Sequence, residues 1–83
     1  MNRVAEKIRE ILAIELRIDE GNIRPSARLR VDLGMDSVAA LNILFAAEEA
    51  FGISGIEVGE IAAVVTVDDV EALVRRYVAQ TSS

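Results

Sequence analysis

A serine hydroxyl approached by carboxylates is the chemistry-bearing group that this sequence presents most clearly. It lies in Asp32-Leu33-Gly34-Met35-Asp36-Ser37-Val38. Gly34 admits backbone angles closed to other residues, and Asp36 is a residue type that caps a helix N-terminus. Ser37 is then expected to begin a helix, exposed to solvent, where unpaired backbone N–H groups tolerate a phosphate. An Asp-Ser pair before a helix is also common as plain capping, so the pair alone does not define a modification site. The rest of the chain offers little catalytic chemistry. It has no cysteine and no histidine. That removes disulfides, thiolate zinc sites, cysteine nucleophiles and the commonest general base, which argues against an enzyme.

The elements that must position this serine fit into one small domain. A chain of 83 residues is near the size at which a single core just stabilises a fold. Apolar residues make up 52%, charged residues 28% and aromatics 4%, so the chain is globular and its core aliphatic. Val4, Ile8, Ile11, Leu12 and Leu16 recur at helical spacing, which predicts an amphipathic first helix ending near Ile18. Gly21, Asn22 and Pro25 oppose a helix after it. Ile23 and Leu29 are expected to peg a long loop onto the core. Nothing breaks a helix from Ser37 to about Phe51, and Gly52 stands where a left-handed cap is expected.

A short helix from Glu57 to about Ala63 follows, weakened by Gly59. Thr66-Val67-Asp68-Asp69 reads as a capping box with Asp replacing the usual Glu or Gln. It precedes Val70, Leu73, Val74, Tyr77 and Val78 at helical spacing. Val64-Val65 is strand-like, but no second such segment is evident to pair with it, so a helix or linking turn is expected there. Thr81-Ser82-Ser83 reads as a frayed tail. The expected architecture is all-α: a small four-helix bundle, three principal helices plus one short, with a long loop between the first and second.

The net charge is −5, unfavourable for nucleic acid or anionic lipid. Arg24, Arg28 and Arg30 are the only feature suggesting a nucleic-acid binder, and they sit in one loop of an acidic chain. Between Asp32 and Glu71 there is no Lys or Arg, while Asp36, Glu48, Glu49, Glu57, Glu60, Asp68 and Asp69 fall there. A field of one sign is therefore expected around the Ser37 helix, steering basic partners towards it. The charged N-terminus lacks the apolar core of a signal peptide and no run is long enough to span a membrane. A cytoplasmic monomer without membrane insertion is the expectation. Asp32, Asp36 and their neighbours lack the ligand density of a calcium loop, so no metal site is expected.

The stretch Asp32 to Val38 resembles the prosthetic-group attachment site of acyl carrier proteins, whose pattern is Asp-Leu-Gly-x-Asp-Ser followed by Leu or Val. Glu48-Glu49-x-Phe51 adds to the resemblance. It implies that a phosphopantetheinyl transferase, using Mg²⁺ and coenzyme A, attaches 4′-phosphopantetheine to Ser37 as a phosphodiester. The arm would bring the thiol the chain lacks and carry an acyl group as a thioester to partner enzymes of fatty acid, polyketide or specialised lipid biosynthesis. Acyl-loading ligases or synthases with basic docking surfaces would be the further partners. Asp36 then contacts the transferase or its metal, or simply caps the helix. Asp32 is a solvated loop residue or a loop hydrogen-bond acceptor. The best-known members carry acids where this chain has Ala39 and Asn42. Their Pro-Asp-rich entry to the third helix is replaced here by Ser54-Gly55-Ile56-Glu57-Val58-Gly59. A specialised member of the family is implied.

At about 100° per residue, Ala40, Ile43, Leu44, Ala47, Ala50 and Phe51 share the core side of the second helix. Val38, Leu41, Asn42, Phe45, Glu48 and Glu49 share the other. That mixed apolar and acidic face is a partner-binding candidate, unless the long loop covers Leu41 and Phe45. An unmodified helical adaptor using Leu41, Phe45 and Glu48 is the alternative from another functional class. A chain-sized space lined by Ile43, Ala47, Ile61 and Leu73, with Ala46, Ala47 and Ala50 making room, is a further expectation. Against it stands the reading that those alanines only permit close packing.

Overall fold

The computed structural model describes residues 3–81. Its elements are α1 (Arg3–Leu16), a 3₁₀ turn (Glu20–Asn22), α2 (Ser37–Phe51), α3 (Val58–Ala63) and α4 (Val67–Thr81). The described residues thus form the all-helical four-helix arrangement expected, with the long loop at residues 17–36. Ser82 and Ser83 of the expected tail lie outside the described residues, and Thr81 closes α4. No described helix is long and apolar enough to cross a membrane.

Helix α1 stops two residues before the predicted Ile18. Arg17 takes a left-handed conformation (φ 56°), and the Ile18 N–H returns to the Ala13 carbonyl at 3.1 Å. This is a Schellman closure built on a non-glycine residue. Helix α2 ends the same way on Gly52 (φ 64°), with the Ile53 N–H on the Glu48 carbonyl at 3.0 Å. Helix α4 begins on the anticipated box. The Asp69 N–H donates to Thr66 Oγ1 at 3.2 Å, and Asp69 Oδ2 accepts the N–H groups of Thr66 and Val65 at 3.0 and 3.1 Å. Those two amides hold the Asp69 carboxyl below its ordinary range.

One apolar cluster gathers Ile8, Ile11 and Leu12 of α1, Ala40, Ile43, Leu44 and Ala47 of α2, Ile61 of α3, and Val70, Leu73 and Val74 of α4. Ile23 and Leu29 are buried in it, so the loop is pegged as expected, and Met35 joins them. The radius of gyration, 11.6 Å, is close to the roughly 12 Å of a compact chain this long, so the loop lies on the helices. Ala50, assigned to the core side of α2, is instead exposed. It faces a surface cleft shared with Val4 and Lys7 of α1, where a methyl group is too short to close the space.

The Val64-Val65 linker is neither the helix nor the turn expected: Val64 is extended (φ −68°, ψ 144°), and the segment has a partner that the strand pattern did not reveal. The Leu29 N–H donates to the Val65 carbonyl at 2.8 Å and the Val67 N–H to the Ala27 carbonyl at 3.1 Å. Arg28 and Thr66 thereby form an isolated antiparallel bridge. Helix α3 is tied to α4 by Glu60, whose carboxylate accepts from Tyr77 Oη and Arg76 Nη2. The Tyr77 hydroxyl bond holds the Glu60 carboxyl low, and the same bond pushes the Tyr77 hydroxyl up.

Candidate functional site

Three backbone events deliver Ser37 to the surface. The loop is anchored by Leu29, whose carbonyl accepts the Met35 N–H at 2.9 Å. Gly34 turns the chain in the left-handed region (φ 75°). Asp36 then becomes the N-cap: its backbone is extended, its Oδ1 accepts the Ala39 N–H at 2.8 Å and its carbonyl accepts the Ala40 N–H at 2.9 Å. Burial of Met35 on one side and of Ala40 on the other leaves Asp36, Ser37 and Val38 outside. Capping is therefore a role that Asp36 fills in the folded chain.

The site fits a phosphodiester on Ser37 Oγ. The side chain is exposed, it stands in the first turn of α2, and the Ser37 and Val38 amides lie at the positive end of that helix. The carboxylate of Asp36 accepts the Ala39 N–H and so faces the start of its own helix. Asp32, the other acid of the motif, serves the loop itself. Its Oδ2 accepts the Arg28 N–H at 2.9 Å and lies 3.5 Å from Arg28 Nε. That backbone bond, more than the guanidinium, holds the Asp32 carboxyl below its ordinary range.

The outer face of α2 is open. Val38 is 68% exposed, Leu41 36% and Phe45 60%, and Asn42 and Glu49 are exposed beside them. The pegs Ile23 and Leu29 are buried in the core, so the loop spends its apolar groups there and not on Leu41 and Phe45. Glu48 differs from its neighbours: it is half-buried, and its Oε2 accepts the Ile56 N–H at 3.2 Å, tying α2 to the linker before α3.

Arg17 was missing from the sequence reading of this site. Together with Asp36, Val38 and Asn42 it lines a cleft of about 230 Å³ between the end of α1 and the start of α2. Glu15 lines the same cleft, so a single guanidinium stands there with two carboxylates, Glu15 and Asp36. Nothing in the local sequence marks Arg17, because its place depends on how α1 ends. Ile43, Ala47, Ile61 and Leu73, the residues expected to line a chain-sized space, are all buried in the common apolar cluster.

Comparison with known proteins bears on the same stretch. Residues 6–74 match the family model described as the phosphopantetheine attachment site. The chain is also similar to an acyl carrier protein of Solidesulfovibrio magneticus, 40% identical over 50 residues, a match covering 60% of this chain and 64% of that protein. The chain therefore belongs to the acyl carrier protein family. Members of this family are carriers and not enzymes, and their cofactor is phosphopantetheine, a covalently bound prosthetic group.

Proposed function

We propose that this protein carries an acyl intermediate on a 4′-phosphopantetheine arm attached to Ser37, delivering it to partner enzymes of fatty acid, polyketide or specialised lipid biosynthesis. The observation that carries the reading is the exposed Ser37 in the first turn of α2, held there by the Gly34 turn and the Asp36 cap inside the family-matched span. In the attachment step Ser37 Oγ gives its proton to the transferase and forms a P–O bond to the pantetheine-bearing phosphorus of coenzyme A. The P–O bond of the diphosphate linkage breaks as it does so, and adenosine 3′,5′-bisphosphate leaves with the bridging oxygen. Once attached, the arm supplies the thiol on which an acyl group is held as a thioester, chemistry that a cysteine-free chain cannot provide.

The chain's own residues present this group to partners. Val38, Leu41, Asn42, Phe45 and Glu49 offer an apolar strip with an acidic edge on the helix that begins at Ser37, suited to apolar grooves with basic rims. Glu48 sets the angle of the linker before α3 through Ile56 and adds charge at the margin. Ala39 and Asn42, uncharged where acids occur in the best-known carriers, favour a dedicated loading ligase or synthase. A cytoplasmic location follows from this reading.

Intact mass after incubation with coenzyme A, Mg²⁺ and a broad-range phosphopantetheinyl transferase tests the proposal. The expected result is a gain of one phosphopantetheine that Ser37→Ala abolishes. Failure with several transferases on folded protein would overturn it in favour of an unmodified adaptor that binds through Leu41 and Phe45.

A further inference from the structure

A second surface, on the side of the molecule where the loop meets the α3–α4 linker, has the opposite electrostatic character to the α2 face. Between the two segments lies an apolar cleft of about 210 Å³, lined by Val31, Ala62, Val64 and Val65, with Arg28 and Arg30 also lining it. Val31 is 72% exposed and Val65 57%, although both are large apolar side chains on a chain with a packed core available to them. Arg30 makes no ion pair among the described residues, whereas Arg28 shares its charge with Asp32. Of the two acids in the first turn of α4, Asp68 and Asp69, the second is committed to the Val65 and Thr66 amides. An unpaired guanidinium beside an open apolar cleft, in a protein of net charge −5, is a local reversal of the surface.

The walls are preformed. Leu29 N–H to Val65 O, Val67 N–H to Ala27 O and Asp68 N–H to Pro25 O, at 2.8, 3.1 and 2.9 Å, lock the loop against the linker on both sides of the Arg28–Thr66 bridge. A partner would meet a shaped surface without ordering it first, which lowers the cost of binding. The volume decides the class of occupant. Small-molecule sites usually span about 300–1,000 Å³, and this cleft is smaller. It matches one large side chain. A polyphosphate has no apolar group to place against Val31, Val64 and Val65, and an extended anionic membrane meets the whole net charge, whereas a short peptide segment brings an apolar side chain and a few carboxylates together.

The geometry points to a second docking site, distinct from the α2 face, that takes a protein segment bearing one large apolar side chain flanked by carboxylates. Arg30 is the principal electrostatic contact, Arg28 the secondary one, and Val31 and Val65 grip the apolar anchor. A carrier could thus engage two partners at once, one basic at α2 and one acidic here. The site stands apart from the carrier reading, because none of its residues belongs to the Ser37 motif apart from the loop that both share.

A fluorescein-labelled peptide with a central Phe between pairs of Glu, titrated by anisotropy and by amide chemical shifts, tests this. The expected result is saturable binding with shifts concentrated at residues 28–31 and 62–65. Raising salt from about 0.1 to 1 M, which cuts the screening length from about 10 to 3 Å, should weaken it. Arg30→Glu and Val31→Asp should each weaken binding by at least about tenfold, or about 1.4 kcal/mol. Both residues are exposed, and unchanged thermal melts would show that the variants fold. Phe45→Ala and Ser37→Ala should bind as the parent does. No saturation up to about 1 mM peptide, equal binding of a Lys-flanked peptide, or shifts centred on residues 38–49 would overturn the proposal. Self-association abolished by Arg30→Glu would also overturn it, assigning the cleft to a second copy of the chain.

Discussion

Asp36 has two separable properties, its hydrogen-bonding oxygen and its charge. The oxygen caps α2 through the Ala39 N–H at 2.8 Å. Asn retains an acceptor, and Ala does not. Asp36→Ala should therefore lower stability by about 1 kcal/mol, read as a shifted urea midpoint, while Asp36→Asn stays within a few tenths of the parent. If the charge also meets the transferase, Asp36→Asn loads phosphopantetheine more slowly at unchanged stability. Equal loading of parent and Asn variant would confine Asp36 to capping. Phe45 sits at the same scale. With 60% of its surface exposed, Phe45→Ala should change stability by less than about 0.5 kcal/mol but weaken a partner that docks on α2 by about tenfold or more. Calorimetric titration against a cognate enzyme separates the two effects.

The helix ends carry the element-scale consequences. Gly52 closes α2 at φ 64° and has open space around its missing side chain, so Gly52→Ala meets backbone strain and not a clash. A loss of about 1 kcal/mol is expected, measured by chemical unfolding. The carboxylates that hold the first loop, the start of α4 and the α3–α4 contact respond to pH in known directions. Asp32, Asp69 and Glu60 have carboxyls held below their ordinary values of 3.8, 3.8 and 4.5. Their stabilising contributions are present above those values and are lost as pH falls through the lowered ones. The Tyr77 hydroxyl is pushed above its ordinary 10.0, so its contribution is present below pH 10.0 and lost as pH rises past the raised value. Melting temperature should be level across neutral pH and fall at both extremes. Tyr77→Phe should flatten the alkaline fall without altering the share due to Asp32 and Asp69 at acid pH.

At the scale of the molecule, the loop of residues 17–36 is part of the core and not a tether outside it. Leu29 has no exposed surface, and its backbone holds both the Ser37 approach, through Met35, and the α3–α4 linker, through Val65. Leu29→Ala should cost about 2–5 kcal/mol and should slow loading of Ser37 as well, because the turn that presents it loses its anchor. Met35, buried beside Leu29, tests the difference: Met35→Leu, nearly volume-conserving, should cost less than about 1.5 kcal/mol, read by chemical unfolding.

What could be read along the chain was whatever depends on local pattern. The repeat of Ile8, Ile11 and Leu12, the unbroken run from Ser37 to Phe51, the Gly52 cap and the Thr66–Asp69 box each depend on residues a turn or two apart, so the helices and most of their boundaries after α1 were legible. The motif around Ser37 was legible for the same reason, since a turn, a cap and a serine are adjacent in sequence. The tertiary structure alone decided the rest. Arg17 reaches the cleft beside Asp36 only because α1 ends in a left-handed turn and packs beside α2. Val65 finds its pairing partner in Leu29, distant along the chain. Glu48 turns to Ile56, and Ala50 falls outside the core because α1 and α2 leave a cleft there. Each is set by where separate segments meet in space, a quantity that periodicity along one segment does not contain.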